Sequence, residues 1–468
     1  MSSLLIRNAH VVQSTSELDC DVVCRDGVIA SLERPRSVAP DGFDEVVDAS
    51  GLLTFPGFID PHIHSRQPGG EHKEDFAHST RAAAAGGITT VLEMPNGQPP
   101  VDGPMVLRER IETFEPIAHV DFGLWGIAYG TETAADIAAL VDAGAVAIKL
   151  FWGYALDRPT GRLIYNWSDA AGGEVIAPPD SGGVFRLMQA VHAAGSVLAV
   201  HCEDRPLLDA LQHESTGRGE YADLLARRPD FTESTSVAIG IELSRATGCP
   251  FHVVHLSSAR AVELIRQAQA EGVPVTTETC PHFLTLTDES YETVGPRMKV
   301  YPPVRYRSDQ DALWDGLRDR SVGFVCSDHA PHTVEEKQLP LDRQPAGAVG
   351  VETTVPLLVD AMVAGRLTPG QLASVLSEEA AKRFGLWPRK GLVWPGADAD
   401  LTLVDPTSTW RIDDAELHSK EAASPWHGST GTGRATVAIV RGNVVMRDGA
   451  AVGSPAGRWV RPVAKVAS

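Results

Sequence analysis

The sequence predicts an α/β protein: a (β/α)₈ barrel of the TIM type with a small β-sandwich built from the N- and C-terminal segments. Between residues 50 and 330, short apolar strand-like runs alternate with amphipathic helical runs, a pattern typical of a parallel sheet. Eight such units favour a closed barrel. The alternative, a doubly wound open sheet, needs a glycine-rich fingerprint after its first strand, and the sequence has none there.

The eight predicted strands each carry a continuous apolar run. In chain order they are FPGFIDPHIH, ITTVLEMP, VDFGLWGIAY, AVAIKLF, SVLAVHCED, FHVVHLSS, VPVTTETC and VGFVCSDHA. Several of the helical runs between them end at glycine, the usual signal for the C-terminus of a helix. We therefore expect the barrel to span residues 55–388.

The two flanks have a different pattern, with short β-type runs separated by turn residues. They cover residues 1–54 and 389–468. Each flank is too small to bury much apolar surface alone, so we expect the two to pair as one β-sandwich beside the barrel. The basic tail at 454–468 is expected to be flexible or to pack on another subunit.

Composition excludes several classes of protein. Apolar residues make up 43% of the 468-residue chain and charged residues 22%, and the formal net charge is −20. A basic stripe is the usual mark of a protein that binds nucleic acid or an anionic membrane, so we expect neither partner. No secretory signal or spanning apolar stretch is visible, and the six scattered cysteines fit reduced thiols. These features predict a cytoplasmic protein.

Polar side chains at the strand ends form the candidate site. In such barrels the C-terminal ends of the strands converge on the active site. Each residue alone has an ordinary structural explanation, but together they supply imidazole and carboxylate groups that suit Zn²⁺ and similar ions. The predicted metal ligands are His62, His64, Lys149, His201, His255 and Asp328.

The residue types in this set indicate a site with two metal ions. His62 and His64 are two apart, so their side chains point to one face of a strand. A lysine ammonium cannot bind a cation, but addition of CO₂ to Lys149 gives a carbamate whose two oxygens can bridge two metals. A metal pair can hold a hydroxide that is nucleophilic near neutral pH. Asp328 can then ligate one metal and move the proton to the leaving nitrogen.

This pattern resembles the metal-dependent amidohydrolase superfamily, and within it the cyclic amidases: dihydroorotase, allantoinase and hydantoinase (dihydropyrimidinase). The resemblance covers nearly the whole chain and is closest to dihydroorotase. It implies the barrel with its composite β-sandwich, two divalent metal ions of the zinc type, and N6-carboxylysine at Lys149. We also expect a homodimer or homotetramer. The motifs that carry the resemblance include PGGEHKEDFAHSTRAAAAGGITTVLEMPN, ETCPHFLTLT, CSDHAPHTVEEK, GVETTVPLLVDAMVAGRLT and KGLVWPGADADLTLVDP.

The resemblance also implies a binding site for the substrate. In the dihydroorotase pattern, the positions of Arg66, Asn96 and His332 bind a substrate carboxylate, and the planar fork of an arginine suits that group. Two positions depart from the pattern: Gly97 stands where Thr is usual, and Ser65 where Leu is common. Alternatively His332 supports a ligand, and Arg66 forms a salt bridge with Glu71, Glu74 or Asp75.

The segment 152–183 is longer than a dihydroorotase needs. It contains Trp152, Tyr154, Tyr165 and Trp167, and hydantoinases and allantoinases have longer aromatic segments near this point. It either shapes a pocket for a larger or less polar ring or forms a subunit contact.

The predicted function is metal-dependent opening of a cyclic amide or ureide ring by a metal-bridging hydroxide, as in the interconversion of dihydroorotate and N-carbamoyl-aspartate. Hydantoinase (dihydropyrimidinase) and allantoinase activities are the alternatives. A phosphotriester hydrolase has no evident use for Arg66 and Asn96. A non-catalytic structural relative is expected to lack metal ligands, and this ligand set has no gap.

Overall fold

A computed structural model describes residues 3–157, 162–164 and 174–463. Tyr165 and Trp167, two of the aromatic residues expected at the pocket mouth, lie outside the described residues. None of the described helices is long and apolar enough to cross a membrane.

Strands and helices alternate through the middle of the chain, with further strands at both ends. The strands are β1 (Ser3–Val12), β2 (Glu17–Arg25), β3 (Val28–Glu33), β4 (Glu45–Asp48), β5 (Leu53–Pro56), β6 (Phe58–Ile63), β7 (Ile88–Glu93), β8 (Asp121–Leu124), β9 (Gly126–Ala128), β10 (Ile148–Phe151), β11 (Ala155–Asp157), β12 (Arg162–Ile164), β13 (Val175–Ile176), β14 (Leu198–His201), β15 (Phe251–Val253), β16 (Val275–Thr279), β17 (Phe324–Val325), β18 (Leu401–Arg411), β19 (Thr430–Val440), β20 (Asn443–Arg447) and β21 (Ala450–Ala451).

The α-helices are α1 (Phe76–Gly86), α2 (Pro104–Phe114), α3 (Ala134–Ala143), α4 (Ser181–Ala194), α5 (Arg205–Leu211), α6 (Glu220–Arg227), α7 (Asp230–Thr247), α8 (Ala259–Ala270), α9 (Pro281–Thr285), α10 (Tyr291–Val294), α11 (Arg307–Asp319), α12 (Val334–Lys337), α13 (Thr354–Val363), α14 (Pro369–Ala373) and α15 (Glu379–Arg383). Short 3₁₀ turns and one π-helical turn, Ser374–Glu378, complete the helical structure of the described residues.

The barrel predicted from the strand pattern is confirmed. Parallel strands run in the orders β6-β7-β8 and β9-β10-β14-β15-β16-β17. The third predicted strand comprises β8 and β9, which are separated only by Trp125. The first and eighth strands meet through a parallel bridge between Ile63 and His329, where the His64 amide donates to the His329 carbonyl at 2.7 Å. Every residue of β6, β7, β10 and β14 is buried, as expected for strands covered on both faces.

The helices between the strands begin and end at the expected signals. Asp75 caps α1 by accepting the His78 amide, and Thr133 forms a reciprocal capping box with Asp136 at α3. Both helices end at a glycine with a left-handed backbone, Gly87 at φ +92° and Gly144 at φ +111°. These positions favour glycine because a side chain is disfavoured in that conformation.

The two chain ends contribute to one sheet of nine strands, in the order β21-β20-β19-β18-β5-β1-β2-β3, with β4 beside β1. N-terminal β5 and C-terminal β18 are antiparallel neighbours in it. Apolar side chains from both ends share one cluster, which includes Leu4, Val22, Leu403 and Ile439. The flanks therefore pair as expected, whereas the domain boundaries at 54/55 and 388/389 stay a prediction.

The expectation for the C-terminal tail was wrong over its described part. Residues 457–460 lie along β8 of the same chain: Phe122 donates to the Arg458 carbonyl at 3.0 Å, and Val460 donates to the Phe122 carbonyl at 2.7 Å. The reason is an open strand edge, because β8 pairs only with β7 while β9 continues the barrel. The tail satisfies backbone groups that otherwise lack partners. Residues 464–468 lie outside the described part of the chain.

A buried ion network joins the bottom of the barrel to the terminal sheet. The Lys390 ammonium lies 2.8 Å from Asp121 Oδ2 and 3.2 Å from Asp398 Oδ2, and it also contacts Asp400. Asp121 further pairs with Arg441. Lys390 is 2% exposed and Asp121 is fully buried. Since Asp121 opens β8 and Asp400 precedes β18, the network fixes the two units to each other.

Loss of the Lys390 charge is therefore expected to destabilise the protein. Removing one partner of a buried pair leaves uncompensated charge, and Lys390→Met should lower the free energy of unfolding by about 3–5 kcal/mol. Denaturant titration of the purified variant measures this. The matched control is Lys382→Met, which removes a 42% exposed lysine that pairs with Glu378 and should cost less than about 1 kcal/mol. Equal losses for the two variants would contradict the account.

Candidate metal centre

The predicted ligands on the first and eighth strands converge at the C-terminal mouth of the barrel. His62 Nε2 and His64 Nε2 lie 3.3 Å and 3.4 Å from the same atom, Asp328 Oδ1. All three side chains are buried, and one ligand atom from each lies within 4.8 Å of the others. Two imidazoles and a carboxylate at this spacing are a donor set that suits a divalent transition metal.

Hydrogen bonds at Nδ1, on the side of each ring away from Asp328, set the orientation of these two imidazoles. His62 Nδ1 lies 2.6 Å from Glu278 Oε1, and His64 Nδ1 lies 2.8 Å from Asn96 Oδ1. Both partners are acceptors, so they favour the tautomer that carries its proton on Nδ1. The lone pair of each Nε2 is then directed at Asp328, as in metal sites whose ligand histidines donate to a supporting carboxylate or carbonyl.

A second pair of predicted ligands meets on the neighbouring strands. His201 Nδ1 lies 3.0 Å from His255 Nε2, and His201 Nε2 lies 2.9 Å from Glu203 Oε2. The carboxylate of Glu203 favours a proton on Nε2, which leaves Nδ1 of His201 as the donor atom for a metal. The rings of His62 and His255 are 5.5 Å apart, so the two halves of the ligand set adjoin.

Lys149 is the most unusual of the predicted ligands. Its side chain is fully buried on β10, and its Nζ has no hydrogen-bond partner among the described residues. Burial lowers the pKa of this amine to about 8, although the charges of Glu278 and Asp328 oppose the shift. After burial, the Lys149 charge is the largest cause that holds the pKa of His62 well below its ordinary value. A buried amine without a hydrogen-bond partner is costly, and the sequence prediction of a carboxylated Lys149 offers one reason for it.

Asp328 is held in its charged form. Burial alone raises the pKa of its carboxyl, but the hydrogen bond from His64 and the neighbouring imidazoles of His255 and His282 outweigh burial and keep that pKa below its ordinary value. A carboxylate that stays ionised can ligate a metal at neutral pH.

Three of the predicted site residues have a left-handed backbone. The φ angles are +63° at Arg66, +40° at His255 and +45° at Asp328. This conformation is disfavoured for residues with a Cβ and occurs chiefly where the surroundings enforce it, often at functional sites. The mouth of the barrel is therefore built around side chains whose direction the backbone fixes.

The predicted substrate residues line one cleft of about 640 Å³ together with His64, a size typical of small-molecule sites. Arg66 donates from Nε to the Pro331 carbonyl at 3.0 Å, and its Nη2 lies 3.1 Å from His332 Nε2. In the part of the chain that the structure describes, no carboxylate pairs with Arg66. The alternative salt bridge to a nearby acid is therefore not formed.

One departure from the family pattern has a steric explanation. A Cβ on Gly97 would lie 2.5 Å from Arg110 Nη1 and 3.0 Å from Pro68. Arg110 occupies that space and donates to the Gln67 and Pro99 carbonyls at 2.7 Å and 2.8 Å. It thereby ties together the loops after the first two strands, an arrangement that threonine at position 97 would obstruct.

The described part of the 152–183 segment reaches the site in two places. Its strand β12 lines the cleft with Arg162, Leu163 and Ile164. The Tyr154 ring lies 4.5 Å from that of His201, and its hydroxyl donates to Glu203 at 3.4 Å. Trp152 instead is buried and donates to the Pro179 carbonyl. Of these two aromatic residues, only Tyr154 contacts a predicted ligand.

Several groups that complete the site were missed in the sequence. They are charged residues that contact the predicted site residues. Glu278 contacts His62, and Glu203 contacts both His201 and, at 2.5 Å, the guanidinium of Arg228. Glu93 accepts from Ser65, and the Lys73 ammonium lies 3.2 Å from His332. Glu278 and Glu93 lie in barrel strands, and Glu203 lies two residues after β14. A charged residue inside an apolar strand run was the available signal.

The centre thus combines two adjacent sets of buried imidazole and carboxylate groups with the buried amine of Lys149, whose charge lowers the pKa of His62, His201 and His255. Its cleft contains an arginine that has no acidic partner among the described residues. Such a site can bind divalent cations, acidify water and hold a small substrate with an anionic group.

Comparison with known proteins gives a consistent result. The profile of the Amidohydrolase family matches residues 53–445. An allantoinase from Rubrobacter xylanophilus is 36% identical over 98% of this chain and 97% of its own, and a dihydroorotase from a Geobacter species is 34% identical over 96% and 100%. A solved structure of an L-hydantoinase (dihydropyrimidinase) from Arthrobacter aurescens superposes with a TM-score of 0.90 at 31% identity, covering 98% of this chain and all of that one. The chain belongs to the amidohydrolase family.

Proposed function

We propose that the protein is a metal-dependent cyclic amidohydrolase that opens a ring carrying a carboxylate, as in the interconversion of dihydroorotate and N-carbamoyl-aspartate. The observation that carries this proposal is Arg66, a half-buried arginine beside the predicted ligand His64 in the cleft, for which the described residues supply no acidic partner. The names of the similar proteins, allantoinase, dihydroorotase and L-hydantoinase, support the reaction class.

Two divalent ions, Zn²⁺ in this proposal, fit the residues present. His62, His64 and Asp328 would hold one ion, His201 and His255 would hold the other, and Lys149 carboxylated to N6-carboxylysine would supply oxygen ligands. The low pKa of the Lys149 amine supports the modification, because only an uncharged amine can add CO₂. When bound, the ions supply an acidified water and polarise the substrate carbonyl. The homodimer or homotetramer and the cytoplasmic location stay predictions.

Asp328 is the proposed proton carrier. Its carboxylate is ionised and partly accessible at the floor of the mouth, with 9% of the residue exposed. It therefore accepts the proton of the attacking water and delivers it to the ring nitrogen that leaves. Its left-handed backbone and its contacts with His62 and His64 hold the carboxylate in place for both steps.

The substrate carboxylate is proposed to lie between Arg66, Asn96 and His332. Burial and the Arg66 charge lower the pKa of His332 to about 3. This imidazole is therefore neutral at physiological pH and contacts the carboxylate as a neutral group, while Arg66 supplies the charge. The Arg66 guanidinium offers a planar fork. Asn96 contributes its amide from the second strand while its carbonyl oxygen holds His64.

A hydantoinase or allantoinase activity is the second candidate. The observation that favours it is strand β12, which places Leu163 and Ile164 in the cleft wall. An apolar wall suits the apolar side group of a 5-substituted hydantoin better than it suits the charged carboxylate substituent of dihydroorotate. Turnover of dihydroorotate, allantoin, dihydrouracil and 5-substituted hydantoins by the metal-loaded protein ranks the two candidates.

The metal proposal predicts that Lys149→Ala loses activity together with bound metal. Elemental analysis of active wild-type protein should give close to two divalent ions per chain, and the variant should retain one or fewer. Short carboxylic acids should restore part of its activity, because they can take the place of the carbamate. Lys382→Ala, which changes an exposed lysine, is the control. Full wild-type activity with a single ion would rule out the bridging lysine.

The proton-transfer proposal predicts that Asp328→Asn lowers kcat by about 10²–10⁴-fold, the usual contribution of a general acid–base group. Substrate affinity should change by less than about threefold, because the cleft residues stay intact. Steady-state kinetics and equilibrium binding on the metal-loaded variant measure both values. Turnover within tenfold of wild type would remove Asp328 from the proton pathway.

The carboxylate proposal predicts a substrate-dependent effect of Arg66→Met. Loss of a buried charge partner costs about 2–5 kcal/mol, which lowers kcat/KM for dihydroorotate by roughly 30-fold to several thousandfold. For the neutral ring dihydrouracil the loss should be small. Arg343→Met, at an exposed arginine on the same cleft, is the control and should affect both substrates little. An equal loss on both rings would make Arg66 a structural residue and favour the second candidate.

A further inference from the structure

We propose that Glu93 positions Arg66 through Ser65 and thereby sets the selectivity of the cleft for rings that carry a carboxylate. Glu93 and Ser65 are positioning residues in this account and do not touch the substrate. The inference rests on the proposed function, because it takes Arg66 as the carboxylate-binding group.

The backbone amide and the hydroxyl of Ser65 both contact the Glu93 carboxyl group. The Ser65 amide lies 3.0 Å and 3.1 Å from Glu93 Oε1 and Oε2, and the Ser65 hydroxyl donates to Oε1 at 2.8 Å. Ser65 is fully buried and Glu93 is 5% exposed. Both donors of Ser65 are therefore engaged by one carboxyl group on the neighbouring strand. We call this contact the Ser65–Glu93 clamp.

The clamp fixes the chain at the point where it must turn. Ser65 lies between His64, whose amide is bound to the His329 carbonyl at 2.7 Å, and Arg66, whose φ is +63°. The left-handed conformation costs about 1–2 kcal/mol for a residue with a Cβ, so it persists only where neighbouring contacts impose it. With residue 64 bound to the eighth strand and residue 65 to the second, the direction of the Arg66 side chain is set.

Glu93 also leaves the Arg66 guanidinium available. Glu93 lines the same cleft, and burial raises its pKa to about 8 although the bonds from Ser65 and the charges of Arg110 and Arg66 oppose the shift. It makes no direct salt bridge with Arg66, whose Nε donates to Pro331 instead. The acid therefore orients the arginine through the backbone and does not occupy the fork that a substrate carboxylate needs.

The hydroxyl part of the clamp distinguishes this chain from the common pattern. Leucine is usual at position 65 in the resembling family, and leucine has no hydroxyl to donate to Glu93. The serine side chain thus adds a bond from Oγ to a carboxyl that already accepts the backbone amide. Replacing either residue tests the clamp without touching Arg66 or any predicted metal ligand.

The test uses Glu93→Gln and Ser65→Ala in the metal-loaded full chain. Glu71→Gln is the matched control, because the Glu71 carboxylate is exposed on the same loop and, among the described residues, accepts a hydrogen bond from the Gly69 amide alone. Kinetics are measured on dihydroorotate and dihydrouracil. Hydrogen exchange of the backbone around residues 62–67 is followed by mass spectrometry, and metal content is checked in each variant.

The clamp predicts a rise in KM for dihydroorotate of about tenfold in Glu93→Gln and about threefold in Ser65→Ala, the range of one or two hydrogen bonds. The value of kcat should stay within threefold, kinetics on dihydrouracil should be unchanged, and two ions should remain bound. Exchange around residue 65 should be slow in wild type and in the control and faster in both variants, with the larger rise in Glu93→Gln, because Ser65→Ala keeps the bond from the amide to Glu93.

The outcomes separate this inference from the proposed function. If wild type opens dihydroorotate and the variants keep its KM, the inference fails and the proposed function stands. If both rings are affected equally, or metal is lost, Glu93 is a general structural residue and the inference is overturned. If wild type does not open dihydroorotate, the proposed function fails and the selectivity part of the inference fails with it. Exchange then tests the clamp itself: equal rates in all four proteins overturn the clamp, and faster exchange in the two variants supports it.

Discussion

The site depends on the meeting of the first and last barrel strands at Asp328. His62 Nε2 and His64 Nε2 both lie within 3.4 Å of Asp328 Oδ1, and this approach is possible only because the barrel closes through the bridge between Ile63 and His329. Closure brings together residues more than 260 positions apart in sequence, as the bond from the Ser327 amide to Asp60 shows at 267 positions. The remaining donors follow from the neighbouring strands. The cost of gathering buried polar groups is offset by carboxylates behind the imidazoles, chiefly Glu278 and Glu203.

The two ends of the barrel serve different purposes. The C-terminal mouth holds the candidate site and its left-handed backbone positions, whereas the opposite end carries the Lys390 network and the tail that covers β8. This division is general for the fold, in which chemistry lies at the C-terminal face and stability at the other. The net charge of −20 also hides a local contrast, because the cleft brings together Arg66, Lys73 and Arg343. The acids Glu93 and Glu336 line the same cleft, and Glu336 pairs with Lys73 at 2.7 Å, so Arg66 is the cation that the proposed substrate anion would meet.

The strand count and the strand-end residues could be predicted because each depends on local pattern. Parallel strands are apolar throughout, so Lys149 inside AVAIKLF and His255 after FHVV stand out, and the structure buries both close to His62. The supporting groups could not be predicted, since the roles of Glu278 and Arg228 depend on contacts with residues distant in sequence, His62 and Glu203. The tail was misjudged for the same reason: its composition is that of a mobile end, and only the open edge of β8 makes it a partner of the barrel. Gly97 is explained only once Arg110 is in place.

The central claim is a pair of metal ions bridged by a modified Lys149 at the mouth of the barrel. The most direct measurement is a crystal structure of metal-loaded protein with anomalous diffraction at the metal edge. The account predicts two anomalous peaks, one among His62, His64 and Asp328 and one beside His201 and His255, with density for a carbamate extending from Lys149 Nζ between them. A single peak, or an unmodified lysine between two peaks, would contradict it.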